Sequence, residues 1–300
     1  MTVRSAWFRR ACSLAALASF GCSGSTIGPS PGPGPGPGPG DRVAVLVGAG
    51  DVAMCGSPAA EMTAGLLDGI PGTVFTAGDN AYFHGTVQEF RDCYDPTWGR
   101  HKFRTRPAPG NHDYETPNAV PYFAYFGGSA GPSGLGYYSF EAGEWHVVSL
   151  NSNVPMTPGS SQQAWLRDDL AAHRVPCVAA IWHHPLFTVG PNGPTIETRE
   201  LWRTLFDAGV DVIINGHDHL YERFAPQNPD GNVDLRRGIR QFVVGTGGAE
   251  LTGFARTQAN LETYLATFGV LKLTLRSSGY DWQFVTANGA VPDSGSDVCR

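Results

Sequence analysis

From residue 42 onward the chain alternates between unbroken apolar runs and amphipathic ones. Short apolar runs predict buried strands at residues 42–50 (RVAVLVGAG), 73–80 (TVFTAGDN), 177–184 (CVAAIWHH) and 210–216 (VDVIING). Between them, helical spacing predicts helices at residues 59–70 (AAEMTAGLLDGI), 87–99 (VQEFRDCYDPTWG), 160–173 (SSQQAWLRDDLAAH) and 197–209 (ETRELWRTLFDAG). The third helix opens on serine, a capping residue. YYSFEAGEWHVVSLN, residues 137–151, reads as a hairpin turning at Ala142-Gly143. RQFVVGTGG, GVLKLTLRSS and YDWQFVTANG add strands toward the C-terminus. Strand–helix alternation followed by further strands predicts an α/β fold. The expected form is two mixed sheets packed face to face with helices outside. There is no internal repeat and no second linker, so one domain is expected over residues 41–300.

The first 40 residues carry a different pattern. A basic stretch, MTVRSAWFRR, precedes ACSLAALASF, an apolar run too short to span a bilayer. Residues 1–22 are therefore expected to be a signal peptide. GCSGS places Cys22 where a bacterial lipoprotein leader carries its lipidated residue, although Ser19 and Phe20 fit that pattern poorly. A lipid anchor on Cys22 and plain cleavage both remain open, and either one exports the protein to the periplasm, the cell surface or the medium. The alternating Pro-Gly stretch within residues 23–40 buries nothing and reads as a tether.

The full chain has 21 Lys+Arg and 27 Asp+Glu. Without residues 1–22, which hold Arg4, Arg9 and Arg10 and no acid, 18 bases face 27 acids, a net charge of −9. That balance argues against a nucleic-acid backbone or an anionic membrane surface as the main partner. No protein partner is readable. Beyond the leader, Cys55, Cys93, Cys177 and Cys299 form an even set suited to an oxidising compartment. Three pairings exist. Cys55 follows the first strand and Cys93 lies on the helix after the next, which favours Cys55–Cys93 and Cys177–Cys299. Free buried thiols are the alternative.

The candidate chemistry sits at the strand ends, where α/β folds place reactive groups. Asp51 follows the first strand. GDNAY, with Asp79 and Tyr82, follows the second. GNHD then supplies Asn111, His112 and Asp113 after RTRPAP, and HHPLF and GHDH supply His183, His184, His217 and His219. Singly, each reads as ordinary turn or cap chemistry. Five successive strand ends rich in oxygen and nitrogen donors, with no cysteine, instead suit a pair of hard-to-borderline metal ions. His101, His146 and His173 fall on expected helix or strand faces and read as structural, while His84 stays open.

Asp51, GDNAY, GNHD, a strand ending in His and GHDH, in that order, resemble the calcineurin-like metallophosphoesterases. Tyr82, three residues after Asp79, is similar to the purple acid phosphatase branch. The resemblance implies a four-layer αββα sandwich of two mixed β-sheets flanked by helices. It implies two metal ions bridged by Asp79. Asp51, Tyr82 and His219 would complete one site, with Fe(III). Asn111, His183 and His217 would complete the other, with Zn(II), Mn(II) or Fe(II). His183 is chosen over His184 because the family places its ligand two residues before the proline. Asp218 receives no ligand role.

The implied reaction is hydrolysis of a small phosphate ester, most naturally a monoester, by metal-bound hydroxide attack at phosphorus. His112 would protonate the leaving group, with Asp113 as its orienter. A phosphodiesterase or nucleotidase, or a non-catalytic surface protein that binds phosphate, are the alternatives. Two positions depart from the pattern. Ala53 stands where the family often has Gly or His, and FTVGPNGPTIET lacks the further histidine of plant and animal purple phosphatases. The stretches PGSSQQ, VGPNGPT and FARTQANLETYLATFG are the expected rim loops.

Overall fold

A computed structural model describes residues 43–300. The expected leader, Cys22 and the Pro-Gly tether lie outside the described residues. The first strands are β1 (Ala44–Ala49), β2 (Ala53–Met54), β3 (Thr73–Ala77), β4 (Ala81–Tyr82) and β5 (Thr105–Ala108). They are followed by β6 (Tyr138–Ala142), β7 (Trp145–Ser149), β8 (Val178–Ile181), β9 (Val212–Asn215) and β10 (Tyr221–Phe224). The last are β11 (Arg240–Val244), β12 (Leu261–Leu265), β13 (Gly269–Arg276), β14 (Gly279–Thr286) and β15 (Asp293–Val298). The α-helices are α1 (Ala59–Gly69), α2 (Val87–Glu89), α3 (Asn111–Glu115), α4 (Val120–Phe126), α5 (Ser161–Ala172) and α6 (Arg199–Ala208).

One six-stranded sheet has the order β15-β14-β13-β1-β3-β5, and a seven-stranded sheet has the order β12-β10-β11-β9-β8-β7-β6. Both are mixed. In the first, β1, β3 and β5 run parallel while β13 pairs antiparallel with β1. In the second, β7, β8, β9 and β11 are parallel and the flanking pairs antiparallel.

Side-chain alternation along the strands defines the layers. Trp145, Val147, Ala179, Ile181, Val212, Ile214, Phe242 and Val244 join one core with Leu271, Leu273 and Phe284 of the other sheet. Their alternates Val148, Ala180, Ile213 and Val243 join a second core with Leu166 of α5 and Leu201, Trp202 and Leu205 of α6. Across the six-stranded sheet, Ala60, Ala64 and Leu67 of α1 cluster with Trp98. The result is helices, sheet, sheet and helices, as the alternation predicts.

Several elements differ from the sequence expectation. Residues 87–99 do not form one helix. A single α-turn passes into a π-turn at Phe90–Tyr94, and a 3-10 helix follows at Trp98–Arg104. Pro96 lacks the amide hydrogen that a continuous helix needs there. The hairpin turns one residue later than expected, at Gly143-Glu144, where Gly143 takes a φ of 66°. Strands β10, β12 and β15 lie in stretches that had no expected strand, and β12 occupies one of the expected rim loops.

Among the described residues no helix is long and apolar enough to cross a membrane. The expected structural histidine His146 is buried between Glu141 at 2.8 Å and Asp169 at 2.6 Å, and its ring stacks on that of His173.

The disulfides are Cys55–Cys93 and Cys177–Cys299, with sequence separations of 38 and 122. Chain entropy of the unfolded state scales with the logarithm of loop length. Removing Cys177–Cys299 by double alanine substitution is therefore expected to cost about 1 kcal/mol more than removing Cys55–Cys93. Equilibrium denaturation of the two metal-free variants measures the difference.

Candidate metal centre

The strand-end residues converge at the carboxyl ends of β1, β3, β5, β8 and β9. Tyr82 Oη lies 2.8 Å from Asp51 Oδ1, 3.0 Å from Asp79 Oδ2 and 3.1 Å from His219 Nε2. His219 Nε2 is also 3.2 Å from Asp51 Oδ1. On the other side, His183 Nε2 lies 3.2 Å from Asp79 Oδ2, 3.0 Å from Asn111 Oδ1 and 3.2 Å from His217 Nδ1. Asp79 Oδ2 is thus common to an Asp51–Tyr82–His219 group and an Asn111–His183–His217 group. The short parallel bridge of β2 with β4, which pairs Met54 with Tyr82, helps bring the tyrosine to the turn bearing Asp51.

The backbone at these positions is unusual. Asp51, Asp79 and His217 all have left-handed φ angles, of 59°, 52° and 75°. Such values are uncommon for non-glycine residues and cluster at functional sites. Each follows a glycine, so each strand ends in the same sharp reversal that turns its donor into the cleft. Gly110 is required by close approach: a Cβ there would meet Asp79 Oδ1 at 2.1 Å and its backbone nitrogen at 2.3 Å.

The chemistry of this donor set fits metal ions. His183 Nδ1 is 2.8 Å from the Ala77 carbonyl, and His219 Nδ1 is 2.5 Å from that of Glu250. A carbonyl only accepts, so both Nδ1 atoms carry hydrogen and a neutral ring turns its Nε2 lone pair inward. Those lone pairs face carboxylate, amide and phenol oxygens. Among the described residues no lysine or arginine ion-pairs with Asp51 or Asp79. Two carboxylates, an amide oxygen, a phenol and inward-facing ring nitrogens crowded together, the rings tied from behind by carbonyls, are the arrangement that cations need.

Residues 43–221 match the family described as calcineurin-like phosphoesterase. The chain belongs to that family. It is 29% identical over 204 residues to an uncharacterized protein of Mycobacterium tuberculosis, covering 54% of this chain and 39% of that protein. It is 29% identical over 225 residues to Purple acid phosphatase 15 of Arabidopsis thaliana, covering 61% and 41%. The chain thus spans about two fifths of the length of these relatives.

Among solved structures, a purple acid phosphatase from yellow lupin seeds superposes with a TM-score of 0.73 at 21% identity, over 87% of this chain and 55% of that one. A Plasmodium protein described as the anchor in the inner membrane complex superposes with a TM-score of 0.68 at 14% identity, over 86% and 89%. At these identities the two structures show a shared fold.

His112 stands beside these donors. Its backbone N–H donates to Asp79 Oδ1 at 2.8 Å, its ring centroid is 4.5 Å from that of Tyr82, and its Nε2 is 3.9 Å from Asp79 Oδ2. Asp113 sits elsewhere than the sequence reading placed it. It is fully buried and accepts from the Asn80 side chain at 2.9 Å and the Gly110 N–H at 2.9 Å. It therefore ties the Asp79 turn to the Asn111 turn, and His112 Nδ1 donates instead to the Phe83 carbonyl at 2.6 Å. Burial first, then the charge of Asp79, raises Asp113 to about 7.

His184 went unassigned in the sequence. It lies 2.7 Å from Ser152 Oγ, with its ring centroid 4.5 Å from that of His217. Adjacency to the expected ligand was the only signal that could have pointed to it. Asp218 faces away from the donors, accepting from Thr188 Oγ1 at 2.6 Å and Asn192 N–H at 2.9 Å.

Where no cation is bound, protons would take its place. Burial lowers the pKa of His183, but Asp79 and Asp51 outweigh it and raise the ring to about 9. Burial likewise opposes protonation of His219, and Asp51 again wins, raising it to about 9. Below that pH both rings hold the proton that a ligand must lose, so metal binding displaces them. Metal affinity should therefore rise with pH toward about 9, and binding at pH 7 should release up to about two protons from these rings, with that of Tyr82 in addition where its phenol ligates. Calorimetry in buffers of different ionisation enthalpy counts them, and binding without proton release would contradict this assignment.

Proposed function

We propose that the chain is an exported, dinuclear-metal hydrolase of phosphate esters, with phosphomonoesters as its main substrates. The supporting observation is the convergence of Asp51, Asp79, Tyr82, Asn111, His183, His217 and His219 around two adjacent positions that share Asp79. The Asp51–Tyr82–His219 side would hold Fe(III), because a phenol is a hard anionic donor once deprotonated. Burial first, then the neighbouring carboxylates, keeps this phenol protonated far above its ordinary range unless a strong Lewis acid displaces the proton. The amide and two imidazoles of the other side suit Zn(II), Mn(II) or Fe(II). When bound, the two ions would supply Lewis acidity toward a phosphoryl oxygen and a water made nucleophilic at neutral pH.

The chain's own residues supply positioning and a proton. Asp79, tied by the His112 N–H, holds the two donor groups at a fixed separation. His112 ligates nothing in this scheme. Its Nδ1–H is engaged with the Phe83 carbonyl, so in the doubly protonated imidazolium the Nε2–H is the proton that passes to the departing alkoxide, leaving the neutral Nδ1–H ring. That free histidine favours an enzyme over a protein whose metals only hold the fold. The two disulfides agree with an oxidising compartment. Export is part of the proposal, either with a lipid on Cys22 as membrane anchor or by plain cleavage and secretion.

Turnover of a chromogenic monoester is expected to exceed that of the matching diester. In His112→Ala turnover of phenyl phosphate, whose leaving group needs protonation, is expected to fall roughly 10²–10⁴-fold with both metals retained. A preference for the diester would assign the phosphodiesterase reading. Normal turnover in His112→Ala would remove its role as acid. For Tyr82 the readout is colour. Iron-loaded protein should absorb in the visible through a tyrosinate-to-iron band that Tyr82→Phe abolishes, and a colourless iron protein would overturn the Tyr82 assignment.

A further inference from the structure

Behind His112 lies a carboxylate that the site as described does not use. The peptide group joining Phe83 and His84 is gripped at both ends. Its carbonyl, on Phe83, accepts from His112 Nδ1 at 2.6 Å. Its N–H, on His84, points at Glu89 and is shared between the two carboxylate oxygens at 3.3 and 3.2 Å. Glu89 also accepts from the N–H of Phe83, and so holds the peptide on the Tyr82 side as well.

The ordinary account of Glu89 is a capping box. It sits three residues after Thr86, accepts from the Thr86 N–H at 2.8 Å, and its own N–H donates to Thr86 Oγ1 at 3.1 Å. A capping box explains the bond to Thr86. It does not explain the bonds to Phe83 and His84, which lie upstream of the cap and belong to the loop that faces the cleft. The cap opens the helical stretch that runs from Val87 through the π-turn to Tyr94, and that role needs only the bonds between Thr86 and Glu89.

The geometry points to Glu89 as a positioning residue for His112, acting through the Phe83–His84 peptide group. An amide whose N–H is bonded to a carboxylate is polarised and becomes a stronger acceptor at its carbonyl oxygen. The chain from Glu89 carboxylate to His84 N–H, Phe83 C=O and His112 Nδ1–H fixes the ring's rotation and keeps hydrogen on Nδ1. That leaves Nε2 toward the substrate, where the Nε2–H of the imidazolium is the proton to be given up. A carboxylate usually does this by touching the histidine directly; here a peptide group stands between, and the neighbouring Asp113 is committed to Asn80 and Gly110. No proton travels along the chain. This inference rests on the proposed role of His112 as proton donor to the leaving group.

The test is leaving-group sensitivity in the full-length, metal-loaded protein. Wild type, Glu89→Gln, His112→Ala and the double variant are compared on p-nitrophenyl phosphate, whose leaving group needs little protonation, and on phenyl phosphate, whose leaving group needs more. Thr86→Val serves as the control for loss of the cap: it deletes the Thr86 hydroxyl and its bonds with Glu89, and leaves the carboxylate with its bonds to the Phe83 and His84 N–H groups.

Glu89→Gln is expected to retain both metals. It should lose roughly tenfold in kcat on phenyl phosphate and much less on p-nitrophenyl phosphate. In the His112→Ala background it should change neither rate. Thr86→Val should leave the ratio of the two rates at its wild-type value. Equal loss on both substrates, additivity with His112→Ala, loss of metal, or the same ratio change in Thr86→Val would overturn the inference and leave Glu89 a structural residue. If His112→Ala itself leaves the ratio unchanged, the reading of His112 as acid fails first. If His112→Ala steepens it and Glu89→Gln does not, only the inference about Glu89 fails.

Discussion

The structure turns on one electrostatic problem, the burial of Asp51 and Asp79 side by side at the carboxyl ends of two parallel strands. Both carboxylates are essentially inaccessible to solvent. Buried anions without partners cost several kcal/mol each, and no lysine or arginine among the described residues ion-pairs with either. Two remedies are open to the folded chain. Protons can settle on His183 and His219, whose rings the carboxylates raise to about 9. Cations can instead take the same place and use the same lone pairs. The carbonyls of Ala77 and Glu250 hold both rings in the tautomer that serves the second remedy.

The fold makes that convergence rigid. Parallel strands from both sheets end at a common edge, and at three of them a glycine followed by a left-handed residue swings the donor into the cleft. Close backbone approach fixes the spacing, since Gly110 leaves no room for a Cβ against Asp79. Asp113 then ties the Asp79 turn to the Asn111 turn, and Asp218 pins the segment around Thr188 beneath His217 and His219. Residues that touch no metal position therefore carry much of the site's geometry. The Cys55–Cys93 bridge ties the exit of β2 to the π-turn that follows Glu89.

The interior of the fold was legible in the sequence because buried parallel strands need unbroken apolar runs. β1, β3, β8 and β9 announce themselves in that way. Apart from the two-residue β2 and β4, the strands missed are mostly those without that requirement. β12 (LETYL) and β15 (DSGSDV) are outer edges of their sheets, with one partner each and solvent beside them, so polar residues and even glycine are tolerated. β10 was hidden because its start merges with the histidine turn before it.

The donor residues were legible as an ordered series at strand ends. Their support was not. The contact of His112 with the Phe83 carbonyl is made by a backbone atom, which no residue type advertises. Asp113 beside His112 in sequence points away from it in space, because successive residues of the helical turn at Asn111–Glu115 face different directions. The Gly-Asp, Gly-Asp and Gly-His pairs at residues 50–51, 78–79 and 216–217 were the available signal for the left-handed turns.

Anomalous X-ray diffraction from crystals of the manganese-loaded protein tests the central claim most directly. Two peaks of comparable height should flank the Asp79 carboxylate, about 3.5–4 Å apart as in other two-metal sites. One peak should lie among Asp51, Tyr82 and His219, and the other among Asn111, His183 and His217. A single peak, or two peaks that do not share Asp79, would contradict the account.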